Sequence, residues 1–128
     1  MADPLTKAVS LPFEQAVVKV TEELKKDGFG IITEIDVRET LKKKLNVDFR
    51  KYHILGACNP QFAYRALQID DKIGTMLPCN VIVQEKSVGI VEVTAVDPAA
   101  SSLVIKNARL LDLALQVRTK LSGVVARL

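Results

Sequence analysis

The stretch that decides the fold is Tyr52–Glu85, with the sequence YHILGACNPQFAYRALQIDDKIGTMLPCNVIVQE. Its first seven residues alternate like a strand. Asn59-Pro60 is typical of a helix start, because asparagine favours the N-cap and proline favours the first helical turn. Apolar residues resume near the end and predict a second strand over 78–85. The only two cysteines, Cys58 and Cys79, lie where the first strand ends and the second begins.

The composition is that of an ordinary globular protein. The 128 residues fit one domain, with 48% hydrophobic and 26% charged residues, close to average usage. No apolar run approaches the ~20 residues that span a bilayer, and the first residues do not resemble a signal peptide. We therefore expect a cytoplasmic protein with no membrane partner, whose cysteines are reduced thiols.

The net charge of +3 is concentrated in one segment. Between Arg38 and His53, six basic and two acidic residues give +4, and we call this range the basic segment. A nucleic-acid interface usually has a broader basic face, with aromatic or Arg side chains directed at the bases. Charge runs are more often a solvated helix face. We therefore expect no nucleic-acid partner.

Periodicity along the chain predicts the element order β-α-β-(α)-β-α-β-β-α. Over 29–37 apolar residues alternate, which predicts a half-buried strand with Ile35 on its apolar face and Glu34 and Asp36 on the opposite, solvent-facing side. The other predicted strands are 6–11, 52–58, 78–85 and 88–96, and the other predicted helices are 12–27, 37–45 and 60–67. A loop is predicted at 70–74, a hairpin turn whose type stays open at Lys86-Ser87 or a close variant, and a helical turn from Asp97-Pro98.

The final helix has the strongest helical periodicity in the chain. Six apolar residues form one stripe: Leu110, Ala114, Val117, Leu121, Val124 and Leu128. Leu111 and Leu115 widen this stripe beyond what one sheet face needs. Two interpretations stay open, namely a dimer interface and a helix buried deeply in a groove of its own chain.

Several motifs together resemble those of a bacterial and archaeal family known as domain of unknown function 302. They are FEQAV at 13–17, GFGIITEID at 28–36, GACNP at 56–60, LPCNV at 77–81 and Asp97-Pro98. The resemblance implies an α+β fold similar to the TATA-binding-protein-like architecture. In this fold a mostly antiparallel sheet of about five strands packs against the N-terminal helix and a long C-terminal helix. It also implies a homodimer, and it implies no reaction.

The two cysteines are the main candidates for a functional site. If strands 52–58 and 78–85 are antiparallel, as the resembling fold favours, Cys58 and Cys79 lie at the same sheet end; if parallel, they are ~20 Å apart. Two thiolates are ligands for a soft metal such as zinc, with a second subunit or water completing the site. Two thiols can instead cycle with a disulfide, or simply pack as small apolar residues.

Three other polar residues, Asn59, Asn80 and His53, lie near the cysteines in the sequence. Asn59 is a candidate ligand-binding residue, although a role as helix cap also explains it. Asn80 alternates with Cys79 and is expected on the opposite face. His53 is five residues from Cys58, so the two side chains point to opposite faces and a Cys-His catalytic pair is not expected. No catalytic residue is predicted.

We predict a small homodimeric protein that binds a small ligand or a metal near Cys58 and Cys79. Whether it is an enzyme stays open, because a thiol-dependent enzyme or redox sensor would use the same two cysteines. A further alternative is a protein-interaction module without a chemical site, in which the C-terminal stripe and the basic segment contact partners.

Overall fold

A five-stranded antiparallel sheet, in the order β1-β5-β4-β3-β2, is the centre of this computed structural model, which describes residues 3–128. The α+β class, the antiparallel sheet and the long C-terminal helix are confirmed, and most element boundaries lie within two residues of the predicted ones. The strands are β1 (Thr6–Val9), β2 (Gly30–Asp36), β3 (Tyr52–Cys58), β4 (Cys79–Ser87) and β5 (Ile90–Ala95). The helices are α1 (Phe13–Lys26), α2 (Val37–Leu45), α3 (Pro60–Ile69), α4 (Ser102–Ile105) and α5 (Ala108–Ala126), and a 3-10 helix (Asp71–Met76) follows α3.

The main core lies between one sheet face and the helices α1 and α5. Both helices carry apolar stripes at helical spacing, and each stripe is buried against the alternating apolar residues of the central strands. Completely buried side chains come from every layer: Leu24, Leu55, Val83, Val91 and Leu121.

A second, smaller apolar cluster lies beside the main core, and we call it the small cluster. Its buried members are Ile73, Val104, Leu110 and Ala114. The first two turns of α5 therefore pack in the small cluster, while its later turns pack in the main core. The stripe of α5 is thus buried within its own chain, and only Leu115, which is 48% exposed, extends beyond it.

Strand β2 departs from the predicted alternation at a β-bulge. The register with β3 shifts between Ile31 and Thr33, and the residue between them, Ile32, is 62% exposed. One extra residue reverses the face of every residue that follows. The predicted position of Ile35 on the apolar face is therefore wrong, since Ile35 is 47% exposed and Glu34 lies on the helix-covered face, opposite a fully buried leucine.

Two local predictions are also wrong. The β4–β5 turn is at Val88-Gly89 rather than at Lys86-Ser87, because Gly89 adopts the positive φ of 79° that the turn requires. The predicted loop at 70–74 is largely the 3-10 helix, with the Asp70 carboxylate accepting a hydrogen bond from a backbone N–H two residues on. Asp97-Pro98 starts a single turn, as predicted: the Asp97 carboxylate accepts a hydrogen bond from the N–H of Ala99, and the Asp97 carbonyl accepts one from the N–H of Ala100. Helix α4 begins after this turn.

Candidate functional site

The two cysteines lie at one end of the sheet, on the neighbouring antiparallel strands β3 and β4. Cys79 pairs with Ala57, the residue before Cys58. Paired Cα atoms are about 5 Å apart and each residue rises by about 3.3 Å, so the two cysteine Cα atoms are about 6 Å apart. The register places Cys79 on the face of Ala57 and Cys58 on the opposite face. A Cα separation of about 6 Å lies within the range that a disulfide spans, and both cysteines are free thiols in this structure.

A cavity of about 90 Å³ lies at this end of the sheet, where the main core meets the small cluster. We call it the seam cavity. Both cysteines and Asn59 border it. Nearly all of its remaining wall is apolar, and the main members are Phe29, Ala57, Phe62, Ala63, Ala66, Ile73, Met76, Val96, Val104, Leu110, Leu113, Ala114 and Val117. The sequence pattern indicates the cysteines and Asn59 but not this cavity, because the walls of the cavity come from six separate elements.

Burial raises the pKa of the Cys79 thiol to about 11, and repulsion from the nearby Cys58 thiol adds to this effect. A thiol in apolar surroundings is harder to ionise because the thiolate loses its hydration. Cys79 is therefore a neutral thiol at physiological pH. A neutral thiol is a weak nucleophile and a poor metal ligand.

Asn59 occupies the N-cap position of α3, but its side chain makes no cap hydrogen bond. Instead, Nδ2 donates to the carbonyl oxygen of Asp27 at 3.2 Å. The prediction that this side chain caps α3 is therefore wrong. The reason is that the backbone after α1 passes close to Asn59. Gly28 turns there with a φ of 86°, and a Cβ atom placed on Gly28 would lie only 3.1 Å from Nδ2 of Asn59. Asn59 thus joins the end of α1 to the border of the seam cavity.

The side chains around the cavity offer few metal ligands. Within residues 3–128, no group of three or more His, Cys, Asp and Glu side chains is arranged to hold a metal ion. Asp97 also borders the cavity, yet both of its oxygens are engaged. Oδ1 accepts a hydrogen bond from the backbone N–H of Ala99 at 2.9 Å, and Oδ2 is 3.2 Å from Nε of Arg118. A zinc ion at the cysteines would therefore need ligands from outside this chain.

The lysines of the basic segment take part in local ion pairs. Its lysines form three ion pairs: Lys42 with Asp48, Lys43 with Glu39, and Lys51 with Glu14. The guanidinium of Arg50 lies 4.4 Å from the ring centroid of Phe49 and donates from Nε to Gln84. Two of the three partner carboxylates belong to the segment itself, so only Glu14 lowers its charge of +4, to +3. In the part of the chain that the structure describes, no helix has the length and hydropathy to span a bilayer.

His53 lies between two carboxylates, a cluster that the sequence analysis missed. Its Nδ1 is 2.8 Å from Oε1 of Glu34, and its Nε2 is 3.5 Å from Oδ2 of Asp36. Its ring packs edge-on against Phe13, with the ring centroids 4.9 Å apart. The hydrogen bond between Nδ1 and Glu34 fixes the orientation of the imidazole ring. The signal that could have found this cluster is the β2–β3 register, which pairs Asp36 with His53.

Comparisons with known proteins agree with this architecture. No curated protein matches the chain. Among solved structures, the chain is similar to the crystal structure of an uncharacterized conserved DUF302 protein from Bacillus stearothermophilus. The two are 27% identical with a TM-score of 0.85, over 96% of this chain and 97% of that chain. The model of the domain of unknown function DUF302 matches residues 5–128, and the chain therefore belongs to the DUF302 family.

Proposed function

We propose that this protein binds a small apolar ligand in the seam cavity. The observation that carries the proposal is the cavity itself, at the junction of two separately packed apolar clusters. Protein interiors contain few voids larger than a water molecule. Ligand sites are typically concave and apolar, with a small number of polar groups that fix orientation. Here Cys58, Cys79 and Asn59 provide such polar groups on the border.

The volume of the cavity limits the part of the ligand that is buried. A closed cavity of about 150 Å³ holds benzene or xenon, whereas the seam cavity measures about 90 Å³. Met76 and Val96 border it and are 47% and 38% exposed. The cavity therefore lies next to the protein surface. We infer that the buried part is a short alkyl group and that the rest of the ligand extends outward.

In this proposal both thiols line the site, and the Cys79 thiol does not react. Zinc coordination and disulfide exchange both need a thiolate, and the raised pKa of Cys79 opposes one. Elemental analysis of the purified protein and thiol titration of Cys58→Ser and Cys79→Ser test this point. Stoichiometric metal would instead support the zinc site, and a fast-reacting thiol would support the redox alternative.

Cavity-filling variants test the apolar site directly. We expect 1-hexanol and xenon to shift the amide resonances of residues around the seam cavity in a saturable manner. Ala114→Leu fills the cavity from α5 and Ala63→Leu fills it from α3, so both should abolish the shifts. Thr119→Leu adds the same side chain on the exposed face of α5 and should leave the shifts unchanged. Shifts that persist in Ala63→Leu, whose site is only partly buried, would overturn the proposal.

The homodimer implied by the family resemblance stays a prediction. The burial of the α5 stripe within its own chain removes the need for a partner at that helix. Light scattering decides the question: twice the chain mass of 14.1 kDa supports a dimer, and a single chain mass contradicts it.

A further inference from the structure

A surface furrow runs between α3 and α5 on the outer side of the seam cavity. Arg65 and Gln68 of α3 line one wall, and Arg109 and Asp112 of α5 line the other. Within residues 3–128, neither arginine has a carboxylate at ion-pair distance, although other arginines of this chain do. The Asp112 carboxylate accepts a hydrogen bond from the amide of Gln116 at 3.0 Å. With two guanidinium groups and one carboxylate, the furrow carries a net charge of +1.

The position of Arg109 is electrostatically unfavourable for the free protein. It lies in the first turn of α5, where the helix dipole favours anions rather than cations. The side chain of Asn107 already satisfies the first backbone donors, since Oδ1 accepts from the N–H groups of Arg109 and Leu110 at 3.1 and 3.2 Å. An unpaired cation at this helix end is a local conflict that a bound anion would relieve.

The furrow and the seam cavity share a wall. Leu113 borders both of them. On α3, Phe62 lines the cavity, and the guanidinium carbon of Arg65 lies 5.8 Å from the Phe62 ring centroid. The charged group therefore lies directly beside the apolar wall, which is the arrangement that an amphipathic ligand requires.

We propose that the ligand is a small amphipathic anion, with a short alkyl chain in the seam cavity and an oxyanion head between Arg65 and Arg109. This inference rests on the proposed function. Arginine presents several donors in a planar fork, and carboxylate and phosphate oxygens match that geometry. Gln68 adds an amide donor to the same furrow. Asp112 opposes a second negative charge, which favours a carboxylate over a doubly charged phosphate.

The test compares ligands with the same chain and different heads. Hexanoate, hexyl phosphate, 1-hexanol and inorganic phosphate are titrated at constant ionic strength, with amide resonances as the readout. We expect hexanoate to bind about tenfold more tightly than 1-hexanol, because Arg65 and Arg109 should each strengthen the binding of the carboxylate about threefold. Hexyl phosphate is expected to bind less tightly than hexanoate, and inorganic phosphate, without a chain, to bind weakly.

Variants separate the head site from the cavity. In Arg65→Gln with Arg109→Gln, the advantage of hexanoate should disappear while the affinity for 1-hexanol stays unchanged. Arg38→Gln removes an exposed arginine from α2 and should preserve the advantage. Equal binding of hexanoate and 1-hexanol by the unmodified protein, or an advantage that survives in the double variant, would overturn the anion site and leave the cavity proposal intact. Absence of binding by both probes would overturn both proposals.

Discussion

Raising the pH should weaken the fold through Cys79. The pKa of this thiol rises from its ordinary value of 9.0 to about 11, first because it is buried and second because Cys58 is near. A folded-state pKa above the unfolded value gives stability that is fully present below about pH 9 and is lost as the pH rises through about 11. The acid dissociation constant of the Cys79 thiol thus differs about hundredfold between the unfolded and folded states. At 1.36 kcal/mol per pKa unit, this difference corresponds to roughly 3 kcal/mol in the free energy of unfolding.

Urea unfolding of the wild type and of Cys79→Ala at a series of pH values measures this contribution. Titration of the lysines affects both proteins equally, so the difference between their free energies of unfolding isolates Cys79. We expect that difference to fall by about 1 to 3 kcal/mol between pH 8 and pH 12. In Cys58→Ala, where Cys79 is the only thiol, thiolate absorbance should show a midpoint well above 9. A flat difference together with a midpoint near 9 would refute the reasoning.

Three further predictions concern stability. Gly56→Ala should cost about 1 to 3 kcal/mol, because a Cβ there would clash with Oγ1 of Thr33; urea unfolding checks this, and a change under about 0.5 kcal/mol contradicts it. Asn107→Ala should lower the free energy of unfolding by about 0.5 to 2 kcal/mol, because the Asn107 side chain caps the N-terminus of α5. Thermal unfolding of this variant should show a lower Tm. Hydrogen bonds from Lys26 and, to a lesser extent, Arg127 lower the pKa of Glu23, so the stability that this carboxylate contributes is present above its ordinary pKa of 4.5 and is lost at lower pH. Glu23→Gln should therefore be less stable than the wild type at neutral pH, and the gap between their free energies of unfolding should close in acid. A gap that does not change with pH would contradict the role of these ion pairs.

The sequence predicts those features that depend on local periodicity. The stripe of α5 is a repeated helical pattern, and five of its six members are buried, while Leu128 is partly buried. The strands flanking Cys58 and Cys79 were predicted for the same reason, because alternation of apolar residues needs no knowledge of the partner strand. That Cys58 and Cys79 are neighbours depends on the antiparallel pairing of β3 and β4, which the structure shows.

Features that depend on tertiary contacts were not predictable. The bulge at Ile32 inserts one residue without any glycine or proline to mark it, so the alternation in 29–37 gave the wrong face for Ile35. The bond from Asn59 to the end of α1 competes with helix capping, and only the folded chain decides between them. The seam cavity requires two clusters whose relative position is not encoded in any single stretch.

The bulge in β2 has a consequence for the behaviour of the protein in solution. β2 is an edge strand, and its outer side would present a regular row of backbone donors and acceptors to another molecule. The shift between Ile31 and Thr33 interrupts that row, and the carboxylates of Glu34 and Asp36 follow it along the same edge. Charge and irregularity together oppose the addition of a further strand, so an edge with two exposed isoleucines is protected against aggregation.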